Sequence, residues 1–267
     1  YLLYWEPLHP YSNGRCLELG FRWHNYVPDD DSFTSSQLDY LRDVFSGRQL
    51  STRFLKSYHT SFGDLIAPAG MVVKFVNVNM ILHRIVEHFD LRVLLFVRHP
   101  CAVVASQLHH GAWDAVDRSN PDVRTDVQRI CADYPSLGAI WEEVETRDEV
   151  LAFIWALETL IPLRHVDDRD WHLIFYEDLV RSGRDEIDRL FAALGEPVPD
   201  DAYSQLYVPS STTAQDSNVA SGKDPLRTWR SRLGVDQVDR ILQVVHRAGL
   251  DLYTDALMPS TRLTDAP

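Results

Sequence analysis

Three stretches of the chain combine residue types suited to holding and transferring an anionic group. The first is Val93-Leu94-Leu95-Phe96-Val97-Arg98-His99-Pro100-Cys101-Ala102-Val103-Val104-Ala105-Ser106. An apolar run delivers Arg98 to its end, and Pro100 opens a helix where its missing N–H costs nothing. Ser106 follows His99 by seven residues, two helical turns on, and so lies on the same side of that helix. A guanidinium fork, a hydroxyl and a helix N-terminus together suit a phosphate. The rival reading pairs Arg98 with a neighbouring carboxylate and packs Ser106 within its helix, and spacing alone does not choose between the two.

The second stretch, Trp171-His172-Leu173-Ile174-Phe175-Tyr176-Glu177-Asp178-Leu179-Val180, brings an aromatic ring and two carboxylates to the end of an apolar run. Tyr176 is placed to line a nucleotide pocket. Glu177 and Asp178 either orient arginines, start a helix, or make ordinary ion pairs. The third stretch is Ser221-Gly222-Lys223-Asp224-Pro225-Leu226-Arg227-Thr228-Trp229-Arg230. Gly222 between Ser221 and Lys223 lets backbone N–H groups approach an anion, with Trp229 placed to close over a base. A polar surface loop is the alternative. No G-x-x-x-x-G-K-[ST] loop occurs in the sequence.

Single residues add to these. Lys74 sits inside an apolar run, Met71-Val72-Val73-Lys74-Phe75-Val76, which is costly unless its ammonium finds an anion. It either emerges beside a bound anionic group or reaches solvent along its own stem. Glu6 ends the run Tyr1-Leu2-Leu3-Tyr4-Trp5, and His9, which titrates near neutrality by nature, follows it. The aromatic stretch Phe21-Arg22-Trp23-His24-Asn25-Tyr26 either stacks on an acceptor or packs in the core.

The elements that must carry these groups alternate along the chain. Strands are expected over residues 1–5, 71–76, 91–97 and 171–176, the third apolar enough for a parallel strand covered on both faces. Helices are expected over 36–45, 80–89, 101–108, 149–160, 184–194 and 238–248, several of them stopped by glycine. Residues 7–32 and 197–209 read as irregular, and 111–146 as a polar lid or substrate-side insertion. Strands interleaved with helices predict an α/β fold, a three-layer sandwich around a central, mostly parallel sheet. Ligands of such folds sit beyond the carboxyl ends of the strands.

Composition narrows the function. The 267 residues are 45% hydrophobic and 24% charged, an ordinary globular mixture that excludes disorder and a small disulfide scaffold. The net charge of −13 argues against a diffuse grip on nucleic acid and leaves room for a local basic pocket. Cys16, Cys101 and Cys131 are too few and scattered for a disulfide framework or a zinc site, so reduced thiols and a cytoplasmic location are expected. His109 and His110 lack a third ligand at metal spacing, and no metal is expected. No run of about 18 apolar residues spans a membrane.

Taken together and in this order, the segments resemble the sulfotransferases that use 3′-phosphoadenosine 5′-phosphosulfate, in particular the bacterial and carbohydrate-type members. Arg98 and Ser106 after their strand resemble that family's 3′-phosphate-binding motif. Ile174-Phe175-Tyr176-Glu177-Asp178-Leu179 resembles its Tyr-Glu-Asp-Leu segment, and Gly222 and Lys223 ahead of Trp229-Arg230 a divergent basic-glycine loop. Tyr4-Trp5-Glu6-Pro7-Leu8 resembles its Glu-Pro-Leu segment. The resemblance covers most of the chain, from Glu6 to about Tyr253. It implies a P-loop NTPase-like fold in a single domain over residues 1–267, whose first strand, loop and helix, with the 5′-phosphosulfate loop, are expected upstream of Tyr1. It also implies transfer of a sulfuryl group to a hydroxyl on a glycan, glycolipid or secondary metabolite, leaving 3′-phosphoadenosine 5′-phosphate.

Arg98, Ser106, Tyr176, Ser221, Gly222, Lys223 and Lys74 are then the nucleotide-binding residues. Glu6 is the first candidate for the base that takes the acceptor proton, and His9 the second. Two other classes compete: a nucleotide-dependent kinase on a P-loop fold, against which the missing Walker lysine counts, and a non-catalytic nucleotide-binding module. The oligomeric state and the acceptor are not encoded in any motif.

Overall fold

The computed structural model describes residues 1–10, 13–48, 70–166, 171–206, 208 and 224–260. The chain divides into two compact units, Tyr1–Asp90 and Leu91–Pro267. Among the described residues it is a mixed α/β protein with two small parallel sheets of two strands each.

In the first unit, β1 (Leu2–Trp5) runs parallel to β2 (Met71–Lys74), with Leu2 opposite Met71 and Trp5 opposite Lys74. Leu2 and Tyr4 point into the core while Leu3 and Trp5 are half-buried, the alternation expected of a strand. β2 ends at Lys74, two residues earlier than its apolar run. The stretch 7–32, expected to be irregular, contains α1 (Gly14–Glu18), whose five residues are too short to show a helical period. α2 (Ser35–Phe45) starts in a capping box between Thr34 and Gln37. The expected helix over 80–89 is broken up: a 3-10 turn at Asn79–Ile81 leads into only one helical turn, α3 (Leu82–Ile85).

The second unit pairs β3 (Val93–Val97) with β4 (Trp171–Phe175), also parallel, with Val97 opposite Phe175. Parallel partners need a long crossover, and here it consists of α4 (Pro100–His109), α5 (Pro121–Asp133), α6 (Pro135–Glu143) and α7 (Arg147–Leu163). Prolines stand in the first turn of α4, α5 and α6, where their fixed φ suits helix entry. α7 is apolar nearly all round and is buried along most of its length. β3 is covered less fully than its composition predicts. Val93, Leu95 and Val97 are buried but Phe96, on the opposite face, is 54% exposed, so that face is partly open among the described residues.

After β4, α8 (Tyr176–Leu194) starts eight residues earlier than the periodicity predicts and bends at Gly183, whose backbone is non-helical. It ends on Gly195 in the left-handed conformation, as expected for a glycine C-cap. A short α9 (Ala202–Gln205) lies in the expected loop. A 3-10 stretch, Pro225–Ser231, precedes the amphipathic α10 (Val235–Arg247). Arg240 of α10 makes two hydrogen bonds, 2.9 and 3.1 Å, to the buried Asp148 of α7.

Candidate functional site

Each unit gathers part of the candidate machinery. In the first, Glu6 leaves β1 with φ at +47°, the one positive φ among the described non-glycine residues. Such a backbone costs on the order of 1–3 kcal/mol and persists only where its surroundings fix it. Here they do so on both sides. The Glu6 N–H donates to the Lys74 carbonyl at 2.7 Å. The Pro7 carbonyl accepts from the Tyr40 hydroxyl at 2.9 Å, from Asn13 Nδ2 at 3.1 Å and from the Cys16 thiol at 3.1 Å. The turn aims the Glu6 carboxylate at Lys74, which ion-pairs with Oε1. Lys74 Nζ also lies 4.1 Å from the centroid of the Trp5 ring.

Lys74 therefore has a protein carboxylate as one partner of its ammonium. His9 is half-buried with its ring edge-on to Trp23, centroids 5.2 Å apart. Phe21 packs in the core.

In the second unit the β3–β4 register sets the geometry. One step past the Val97–Phe175 pair come Arg98 and Tyr176, then His99 and Glu177. The Arg98 guanidinium lies over the Tyr176 ring, 4.5 Å from its centroid. Arg98 Nε is buried and has no hydrogen-bond partner among the described residues. The rival reading of Arg98, a structural ion pair, has no counterpart among those residues either.

The peptide that follows Arg98 is gripped from both ends. Its carbonyl accepts from Trp155 Nε1 at 3.1 Å, and the His99 N–H donates to Glu177 Oε1 at 2.9 Å. Glu177 Oε2 accepts from the Tyr253 hydroxyl at 2.7 Å. Glu177 is 1% exposed, and burial raises its pKa against the pull of those two donors and of the Arg98 charge. Tyr253 is fully buried, and its hydroxyl pKa is raised by burial and by the Glu177 charge.

His99 is fixed as a neutral ring. Its Nδ1 accepts from the Cys101 N–H at 3.1 Å, so the hydrogen sits on Nε2, which donates to the carbonyls of Thr254 and Ala256, both at 3.0 Å. Burial holds its pKa down to about 4. Trp229 stacks on it with centroids 4.8 Å apart and planes 22° apart. Trp229 is therefore spent inside the fold, where the sequence suggested a lid over a base. Arg230 donates to the Asp255 carbonyl.

Ser106 lies on α4 with its side chain exposed, and it shares no hydrogen bond with Arg98 among the described residues. Ser221, Gly222 and Lys223 lie outside those residues. Asp224, the next residue, caps the 3-10 stretch at the Leu226 N–H and bonds Arg181 at 3.0 Å. No sequence signal announces the grip on the Arg98–His99 peptide. A strand end and a later Tyr-Glu-Asp suggest proximity, but Tyr253 and the carbonyls after it carry no motif.

No group of His, Cys, Asp and Glu able to hold a metal occurs among the described residues. The three cysteines are free, and burial pushes the thiols of Cys101 and Cys131 up to about 12 and about 11. No described helix is long and apolar enough to cross a membrane.

No protein-family model matches the chain, and no curated protein matches it. Among solved structures, it is similar to the sulfotransferase domain from the Synechococcus PCC 7002 olefin synthase. The likeness covers 91% of this chain and 82% of that one, at 20% identity and a TM-score of 0.42.

Proposed function

We propose that the protein moves a sulfuryl group from 3′-phosphoadenosine 5′-phosphosulfate to a hydroxyl of a glycan, glycolipid or secondary metabolite. The fold that accompanies this reading is the P-loop-like three-layer α/β sandwich. One observation carries it: Arg98 stands at the end of β3 over Tyr176, with a buried Nε that no described protein group satisfies. A buried guanidinium N–H without a partner costs free energy, and a phosphate is the ligand whose shape fits that fork.

In this reading Arg98 takes the 3′-phosphate, with Ser106 and the loop of Ser221, Gly222 and Lys223 as further ligands. Tyr176 supports both the cation and the nucleotide. The acceptor oxygen attacks sulfur in line, the S–O bond to the 5′-phosphate breaks, and 3′-phosphoadenosine 5′-phosphate leaves. The acceptor proton passes to Glu6. Lys74 already occupies Oε1 of that carboxylate, so Oε2 is the receiving atom. His9 is the second choice, and its ring is engaged by Trp23.

The test is calorimetric titration with 3′-phosphoadenosine 5′-phosphate, followed by a transfer assay with labelled donor on the full-length gene product. Arg98→Ala is expected to weaken binding by roughly 2–3 kcal/mol, the loss of a charge-assisted bidentate contact. Glu6→Gln is expected to bind like the wild type and to turn over about 10²–10⁴-fold more slowly. Binding of ATP with no response to the bisphosphate would instead support a kinase. Binding of the bisphosphate without transfer would support a non-catalytic module.

A further inference from the structure

We infer that Glu177 is a positioning residue for Arg98: its buried carboxylate, held by Tyr253, fixes the Arg98–His99 peptide and thereby the direction in which the guanidinium points. This rests on Arg98 being the 3′-phosphate ligand proposed above.

The geometry divides the carboxylate between two donors. One oxygen takes the His99 N–H and the other the Tyr253 hydroxyl. A carboxylate that is 1% exposed is expensive to keep. An apolar side chain of similar size would fill the space at less cost, so the group is best explained by the two donors it orders. The first of those donors belongs to the peptide directly after Arg98. On the same peptide, Trp155 holds the carbonyl.

The Glu177 backbone is tied in as well, since the residue before it is Tyr176, whose ring carries the guanidinium. Two neighbouring residues of α8 thus set two neighbouring residues after β3, one through the ring and one through the carboxylate. Without the carboxylate, the His99 N–H is left buried and unpaired, and the peptide turns to find another acceptor. Arg98 then keeps its charge and loses its aim. Tyr253, which orients the carboxylate, is the second member of the pair, and it is packed edge-on against Phe175 and Trp155, with ring centroids 6.1 and 6.3 Å away.

The test uses discrimination between two nucleotides, because a general loss of structure weakens both. Kd is measured for 3′-phosphoadenosine 5′-phosphate and for adenosine 5′-phosphate, with far-UV circular dichroism as the check on folding. In Glu177→Ala the preference for the bisphosphate is expected to fall roughly tenfold, with adenosine 5′-phosphate bound within about twofold of wild type. Glu177→Gln is expected to restore the preference. Its amide oxygen still accepts from the His99 N–H, and its NH2 donates to the tyrosine hydroxyl. If Glu177→Ala does not fold, Tyr253→Phe replaces it and is expected to lower the preference roughly threefold.

An unchanged preference in the variant that folds overturns the inference. So does an equal weakening of both nucleotides, or a failure of Glu177→Gln to restore the preference. A wild-type protein that shows no preference for the bisphosphate overturns the sulfotransferase reading itself, and this inference with it. A wild-type preference that survives Glu177→Ala overturns the positioning role alone.

Discussion

His99 spends its ring on the fold. Both nitrogens are engaged, one as acceptor and one as donor, and a second proton would have to displace the Cys101 N–H from Nδ1. The ordinary histidine pKa of 6.5 is lowered to about 4 by burial. The unfolded chain therefore binds more protons between those two values. The stabilisation is complete above pH 6.5 and drains as pH falls, and the loss reaches on the order of 3 kcal/mol by about pH 4. Glu177 acts in the opposite sense. Its pKa is raised above 4.5, so its contribution is whole below that value and lessens as pH rises. It blunts the His99 slope where the two windows overlap, above pH 4.5. Urea unfolding of the wild type and of His99→Gln, measured from about pH 7 to about pH 4.5, isolates the imidazole. The wild type is expected to lose stability more steeply. Parallel pH profiles for the two proteins would mean that the ring is not held neutral by the fold.

Helices and strands fix where the charged groups can reach. Asp148 in the first turn of α7 is 5% exposed and takes both hydrogen bonds of Arg240 from α10, so one ion pair joins the central helix of the second unit to the last helix described. Its position near a helix N-terminus adds favourable interaction with the backbone N–H groups there. Asp148→Ala is expected to cost about 1.5–3 kcal/mol, the range for hydrogen bonds to charged groups. Asp148→Asn keeps one acceptor oxygen and is expected to lose roughly half as much. Thermal unfolding measures both, and equal midpoints for wild type and Asp148→Ala would rule out the pair as a clamp. Elements of this kind were legible to different degrees. The apolar runs placed β1, β3 and β4, and the prolines at 100, 121 and 135 mark helix starts, although the last two lie in a stretch read as an insertion. α1 was invisible because five residues carry no period, and the start of α8 was hidden because Tyr176-Glu177-Asp178 continues the strand without a stop signal.

At the scale of the molecule, the family resemblance assigned Arg98 and Tyr176 to one nucleotide site, and the β3–β4 register sets the two side by side. The Glu6–Lys74 pair was half legible: each residue stood out alone, yet the pairing of β1 with β2 that joins them spans a segment with no strand signal. The role of residues 252–256 was not legible at all, since backbone carbonyls have no sequence. Those carbonyls have a temporal consequence. The acceptors for the His99 ring, Thr254 and Ala256, come 155 and 157 positions after it. At about 5–20 residues per second on the ribosome, roughly 8–30 s pass between the making of Arg98 and the arrival of Ala256. During that interval the His99 ring is without the two carbonyl acceptors that the folded chain gives its Nε2.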